Sequence, residues 1–254
     1  YNDYDSDGRV TNQYESSSTI TKRKIFAISY NDSADPQVSG SAHCTNLTTS
    51  RSSTDTYVDK MCFNSDELKI YEKDGEGSVE KWTYNTQGLV SQYTDKNGKI
   101  TTYLYDSKRR LTKRTDPDTI TFKTVTDFVY ENNFNRLTKK TITATPIGGG
   151  TAQAKVFNYK IDTKGNVYEA TDPMGYGESF TYDTYGNVKT HTGKNGRTST
   201  YTYDAGGNYR TQESFTAVGV GGANQVIAKK YTYDDYGHKE TYINPNSNTY
   251  KYTY

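Results

Sequence analysis

Apolar and polar positions alternate along this chain. In Tyr201-Thr202-Tyr203, Tyr231-Thr232-Tyr233 and Tyr250-Lys251-Tyr252-Thr253-Tyr254, a large ring takes every second position and Thr or Lys takes the next. Successive side chains of a strand point to opposite faces, so this period of two puts the tyrosines on one face. No long stretch shows the 3.6-residue apolar period of an amphipathic helix. The alternating runs are cut by turns. Tyr-Asp or Tyr-Asn followed by Gly recurs as Tyr4-Asp5 with Gly8, Tyr84 with Gly88, Tyr182-Asp183 with Gly186, Tyr203-Asp204 with Gly207, and Tyr233-Asp234 with Gly237; Tyr105-Asp106 lacks the glycine. Asp side chains bond turn N–H groups, and Gly accepts the positive φ of a tight turn. A second polar turn follows a few residues on, as in Asp95-Lys96-Asn97-Gly98, Asp172-Pro173-Met174-Gly175 and Gly193-Lys194-Asn195-Gly196. Each unit therefore reads strand, turn, strand, turn.

The units repeat. Tyr84 and Tyr105 are 21 residues apart, as are Tyr182 and Tyr203, and weaker copies start at Tyr4, Tyr30, Phe63, Tyr130, Ile161 and Tyr233. The expected fold is all-β: a repeat array of antiparallel β-hairpins forming one spiralling sheet, whether tube, shell or solenoid, with Tyr rings of neighbouring strands stacked into ladders. Residues 1–254 read as a single array of about ten units and a segment of a longer chain, with 31–62 as an insertion. The glycine clusters Gly148-Gly149-Gly150 and Gly219-Val220-Gly221-Gly222 read as hairpin tips, because no helix N-terminus follows to hold a phosphate. Arrays of this kind are scaffolds, shells or binding surfaces, so no catalytic residue and no cofactor is expected.

Composition changes the picture at two points. Leu, Ile, Val and Phe supply only 38 of 254 residues, a level typical of disordered chains, but 26 tyrosines and a net charge of +1 favour collapse. Tyr takes the place of Leu as the packing residue. Basic and acidic residues are nearly balanced and interspersed, which argues against a nucleic-acid surface. No apolar run approaches the ~20 residues of a membrane-spanning helix.

The two cysteines, Cys44 and Cys62, fall in the longest departure from the repeat, together with the sequons at Asn31 and Asn46. The combination predicts an extracellular or cell-surface chain with a disulfide-closed surface loop and N-glycosylation at those asparagines. Two unpaired thiols and chance sequons are the alternative.

Other chemistry is weakly signalled. Asp3-Tyr4-Asp5-Ser6-Asp7-Gly8 matches the opening of a calcium loop, yet the twelfth position is Tyr14 rather than Glu. No metal site is expected there. The recurring Asp106, Asp183, Asp204 and Asp234 are periodic, whereas an active site needs one constellation. His43, His191 and His238 are scattered, without ligand spacing to the cysteines. Trp82 reads as packing, with a sugar-stacking platform as the alternative.

The motif resembles the YD repeats of the Rhs family. The match is carried by Tyr105-Asp106, Tyr182-Asp183 with Gly186-Asn187, Tyr203-Asp204 with Gly207-Asn208, Tyr233-Asp234 with Gly237, and Tyr4-Asp5 with Gly8-Arg9. The resemblance implies a long β-sheet spiralling into a hollow shell and a secreted or extracellular setting. In bacterial members such shells enclose a C-terminal toxin; wall-associated proteins, insecticidal toxin-complex components and teneurin adhesion proteins are related. Those shells end in a core with an acidic self-cleavage site, and nothing after Tyr233 resembles it. The leading expectation is a non-catalytic extracellular scaffold, a tube, surface fibre or filament, whose partners are copies of itself or the continuing array end to end. A toxin-shell segment around an enclosed polypeptide and a glycan- or protein-binding adhesion module are the alternatives.

Overall fold

The computed structural model describes residues 1–17, 20–31, 33–50, 56–218, 222 and 224–254. Asp32 of the first sequon and Gly219, Val220 and Gly221 of the second glycine tip lie outside these. The described residues form 21 strands and no helix. They divide into two compact units, Tyr1–Thr126 with Ala144–Ala152, and Asp127–Thr143 with Gln153–Tyr254.

The first unit holds β1 (Asn2–Tyr4), β2 (Val10–Ser17), β3 (Ile20–Asn31), β4 (His43–Ser50), β5 (Thr56–Phe63), β6 (Lys69–Lys73), β7 (Val79–Tyr84), β8 (Val90–Thr94), β9 (Ile100–Tyr105) and β10 (Leu111–Thr115). Each pairs antiparallel with the next, so the chain meanders through one sheet without a crossover. The strands β11 (Phe122–Tyr130) and β12 (Leu137–Pro146) contribute residues to both units. The second unit continues with β13 (Gln153–Ile161), β14 (Val167–Thr171), β15 (Gly177–Tyr182), β16 (Val188–Thr192), β17 (Thr198–Tyr203), β18 (Arg210–Val218), β19 (Asn224–Tyr233), β20 (Lys239–Ile243) and β21 (Thr249–Lys251). These too pair in sequence order, all antiparallel.

Alternation decides the faces. In β17, Ser199, Tyr201 and Tyr203 are half-buried while Thr198, Thr200 and Thr202 are exposed. The exposed face carries a hydroxyl ladder, with Thr181 against Thr190 at 2.6 Å, Thr192 against Thr198 at 2.7 Å and Thr232 against Thr241 at 2.7 Å. The opposite face carries the rings. Few side chains are fully covered. The buried hydrophobic group is Val38, Cys44 and Cys62, with Ile70 and Tyr71 packed against it, all in the first unit. Of residues 31–62, the described ones supply the end of β3, the loop 33–42, all of β4 and most of β5, and β4 pairs with β3 and with β5 without a register shift.

Candidate functional site

The recurring element is the Tyr-Asp hairpin, and its turn explains the aspartate. The Oδ1 of Asp183 accepts from the N–H of Tyr185 and of Asn187, both at 2.9 Å. Gly186 N–H donates to the Asp183 carbonyl, and the Asp183 N–H donates to Asn187 O. The same four bonds recur around Asp5 with Gly8, Asn85 with Gly88 and Asp234 with Gly237. Asp106 holds its turn likewise, with Arg109 in the glycine position. Asp204 serves a turn one residue longer, donating to Tyr209 O and accepting from Tyr209 N–H. Gly207 closes that turn at φ 71°, and a Cβ there would lie 2.6 Å from the Tyr185 ring. Arg109 holds φ 64° without being glycine, and its Nη1 donates to Gln87 O in the preceding turn at 2.8 Å.

A second feature follows each of these turns. Tyr182 faces Val188, but Thr181 faces Thr190, leaving Lys189 as an extra residue in β16. The extra residue is Thr11, Ile70, Ser91, Thr112, Tyr168, Thr211 and Glu240 in the corresponding hairpins. The return hairpins β6–β7, β8–β9, β14–β15, β16–β17 and β20–β21 show no such shift, whereas β2–β3 is irregular at Gln13/Tyr14 and Glu15/Ser17. A bulge bends its strand and increases local twist. It stands at one position of every such hairpin.

The repeat tyrosine closes the bulge of the unit before it. Tyr84 donates its hydroxyl to Lys69 O at 2.6 Å, Tyr105 to Val90 O at 3.0 Å, Tyr182 to Val167 O at 2.5 Å and Tyr203 to Val188 O at 3.0 Å. Tyr30, Tyr233 and Tyr254 do the same to Val10, Arg210 and Lys239. Every acceptor is the residue immediately before a bulged one. Burial raises the phenol pKa of Tyr84, Tyr105, Tyr182 and Tyr203, which keeps them as donors. The exception is instructive: β3 and β4 pair without a shift, and the next repeat position is Phe63, which has no hydroxyl to give. Tyr4, in the first hairpin, is 61% exposed.

Cys44 and Cys62 stand directly opposite each other in β4 and β5 and are joined, with an S–S distance of 2.07 Å. They are 1% and 0% exposed, so the bond is a cross-strand staple inside the sheet rather than the neck of a surface loop. Closing 18 residues this way contributes about 3 kcal/mol. Val38, from the loop before β4, covers it, and the loop is tied down by an Asp35–Lys60 ion pair. Beside it lies a cleft of about 500 Å³, lined by Val38, Gly40, Leu68, Ile70, Tyr71 and Lys81 among others. Of the sequons, Asn31 is exposed at the end of β3 and accepts from Ser33 Oγ at 2.6 Å; Asn46 is half-buried in β4 between Ser29 and Lys60.

The other candidates are engaged with the protein. Asp5 pairs with Arg9 Nε at 2.8 Å, Asp7 with Arg9 Nη2 at 3.3 Å, and Asp3 accepts from the Tyr14 hydroxyl at 2.6 Å. Among the described residues, Asp35 with Cys44 and Cys62 is the cluster closest to a metal-ligand set, and its sulfurs are bonded to each other. The Asp183 carboxyl has a lowered pKa: burial works to raise it, and the N–H donors of Asn187 outweigh that. The Lys96 ammonium, at 2.8 Å, does the same to Asp74, and Lys194 to Asp172. Carboxyls held this way are poor proton donors near neutral pH. His43 stacks on Phe63 and His191 on Phe180, with ring centroids 5.1 and 4.7 Å apart. Trp82 has Lys69 Nζ over its ring at 4.2 Å and Tyr93 tilted against it, so that face is not bare. The Tyr93 phenol, bonded to Glu80, is pushed up to about 12.

The RHS Repeat family model matches residues 74–121. That segment is an RHS repeat. It runs from the Asp74 turn through β7, β8, β9 and β10, and so contains two bulged hairpins and the Tyr105 clasp. No curated protein sequence matches the chain. Among solved structures it is similar to the TcdB2-TccC3 complex, at 12% identity and TM-score 0.49, over 93% of this chain and 17% of that one. It is also similar to TcdB2-TccC3-Cdc42, at 12% identity and TM-score 0.47, over 95% and 17%. A third is the Photorhabdus luminescens Tc holotoxin pore bearing a TccC3 mutation, at 13% identity and TM-score 0.48, over 93% and 17%. The chain thus spans 17% of the length of these proteins. No helix among the described residues is long and apolar enough to cross a membrane.

Proposed function

We propose that this chain is a non-catalytic structural wall: an RHS-repeat sheet whose job is to curve. The observation that carries it is the coupling of bulge and tyrosine. Each bulge bends the sheet, and the next unit's phenol closes the carbonyl beside it, so curvature is built in once per bulged unit. A binding or catalytic protein has no need of bulges repeated at one position, whereas a wall that winds does. The buried disulfide supports an extracellular or secreted setting, and exposed Asn31 is the better placed of the two sequons for a glycan.

Electron microscopy of the intact protein tests this. Fibres or tubes with a regular rise, or closed particles with walls one sheet thick, both express a wound wall; closed particles with internal density identify an enclosed polypeptide. Extended particles without a winding sheet would overturn the proposal.

A further inference from the structure

The last hairpin carries a second pair of residues suited to an oxidative staple. Tyr242 and Tyr250 stand directly opposite each other in β20 and β21, with ring centroids 5.7 Å apart and planes 20° apart. Tyr231 of β19 stacks on the other side of Tyr242 at 5.6 Å. Other stacked tyrosine pairs have a phenol committed elsewhere: Tyr14 donates to Asp3, and Tyr233 donates to Arg210 O. Among the described residues, neither the Tyr242 nor the Tyr250 hydroxyl has a hydrogen-bond partner. Tyr231 is different again, because Lys239 Nζ lies over its ring at 4.7 Å and Arg210 at 5.8 Å. Two cations beside a ring disfavour the loss of an electron from it. An electron hole in this stack is therefore driven toward Tyr242 and Tyr250. Tyr250 is 50% exposed and sits in a strand of three exposed residues, so an oxidant reaches it and the backbone has room to adjust.

We propose that Tyr242 and Tyr250 are a dityrosine cross-linking site, with a haem-peroxidase-type oxidant and hydrogen peroxide as co-reactants. Each phenol gives one electron and its phenolic proton to the oxidant. The two radicals couple through the ring carbons ortho to oxygen, forming one C–C bond. Each coupled carbon then passes its hydrogen to the phenolic oxygen as the ring regains aromaticity. Two tyrosines and one hydrogen peroxide give one dityrosine and two waters. The product would staple a hairpin across directly opposed residues, as Cys44–Cys62 does in the first unit.

The test is peroxidase and hydrogen peroxide on the intact chain, dilute enough to suppress links between copies, followed by trypsin and mass spectrometry. Both tyrosines fall in one peptide, Glu240–Lys251, so the link appears as that peptide lighter by two hydrogens. We expect it to form roughly tenfold or more faster in the folded chain than in urea, because folding holds the rings together. Tyr242→Phe and Tyr250→Phe should each abolish it. Equal yields in folded and unfolded chain would overturn the proposal. So would oxidation confined to Tyr236 and Tyr254, which are 87% and 81% exposed, with Glu240–Lys251 unchanged.

Discussion

The two units hold the same kind of sheet together with shared devices, and the first adds a buried staple. The first contains all the buried hydrophobic side chains found among the described residues, Cys44 and Cys62 on β4 and β5 and Val38 in the loop before β4. The second has none; its buried polar side chain is Ser214. There the sheet rests on half-buried rings, hydroxyl-to-bulge bonds and contacts from turn to turn, all of which the first unit has as well. Asn187 Nδ2 donates to Gly207 O at 2.8 Å, and the Tyr185 hydroxyl donates to Ala205 O at 3.0 Å. A single sheet cannot bury much of a side chain, so it relies on bonds from unit to unit, to which the first unit adds a covering loop with a staple. Where the first unit lacks a bulge, between β3 and β4, it also lacks the repeat tyrosine and carries the disulfide on the following hairpin instead.

The largest expected effect comes from the staple. Replacing Cys44 and Cys62 together with Ala should cost about 3 kcal/mol. Hydrogen exchange should show the loss in β3–β6, with β13–β21 keeping their protection; equal loss in both units would mean that the staple does not act on the first unit alone. Next is a turn contact of the second unit. Gly207→Ala adds a Cβ 2.6 Å from the Tyr185 ring at a positive φ, and should cost about 2–3 kcal/mol. Gly186→Ala has the same backbone problem but open space, and should cost only about 1 kcal/mol. Urea midpoints of the two variants sharpen the point; identical midpoints would mean that Tyr185 does not matter.

The phenol clasp is smaller. Tyr203→Phe leaves the Val188 carbonyl without its donor and should cost about 1 kcal/mol, measured by equilibrium unfolding. Phe63→Tyr, which follows an unbulged hairpin, should change stability by no more than about 0.5 kcal/mol. A gain comparable to the Tyr203→Phe loss would show that the hydroxyl needs no bulge carbonyl. The smallest effect is acid sensitivity. Asp74 and Asp172 have depressed carboxyl pKa values because Lys96 and Lys194 donate to them. The stabilisation is therefore complete above the unfolded carboxyl value of about 4 and is lost as pH falls through the folded values. Asp172→Asn should flatten part of that acid decline; an unchanged acid-unfolding profile would rule the ion pair out as a contributor.

The turns were legible in the sequence because their chemistry is local. An Asp or Asn bonding the N–H groups two and four residues on, with a positive φ between them, involves five consecutive residues and leaves its mark in the 21-residue repeat. The use of the tyrosines was less legible. Ladders of stacked rings were expected, and Tyr231, Tyr242 and Tyr250 do stack, but Tyr84, Tyr105, Tyr182 and Tyr203 reach back 15 residues to a carbonyl. Alternation does not mark a bulge, since Val188-Lys189-Thr190 reads as an ordinary strand; only the pairing with β15 shows Lys189 to be extra.

The sequence by itself determined the strand class, the turns and the face each ring occupies, because a period of two and an Asp-to-amide bond act within a few residues. The tertiary structure alone decided the register that sets Cys44 opposite Cys62, the bulges, and the partner of each phenol. Those depend on which backbone atoms a neighbouring strand leaves unpaired, and that is settled only when the strands dock.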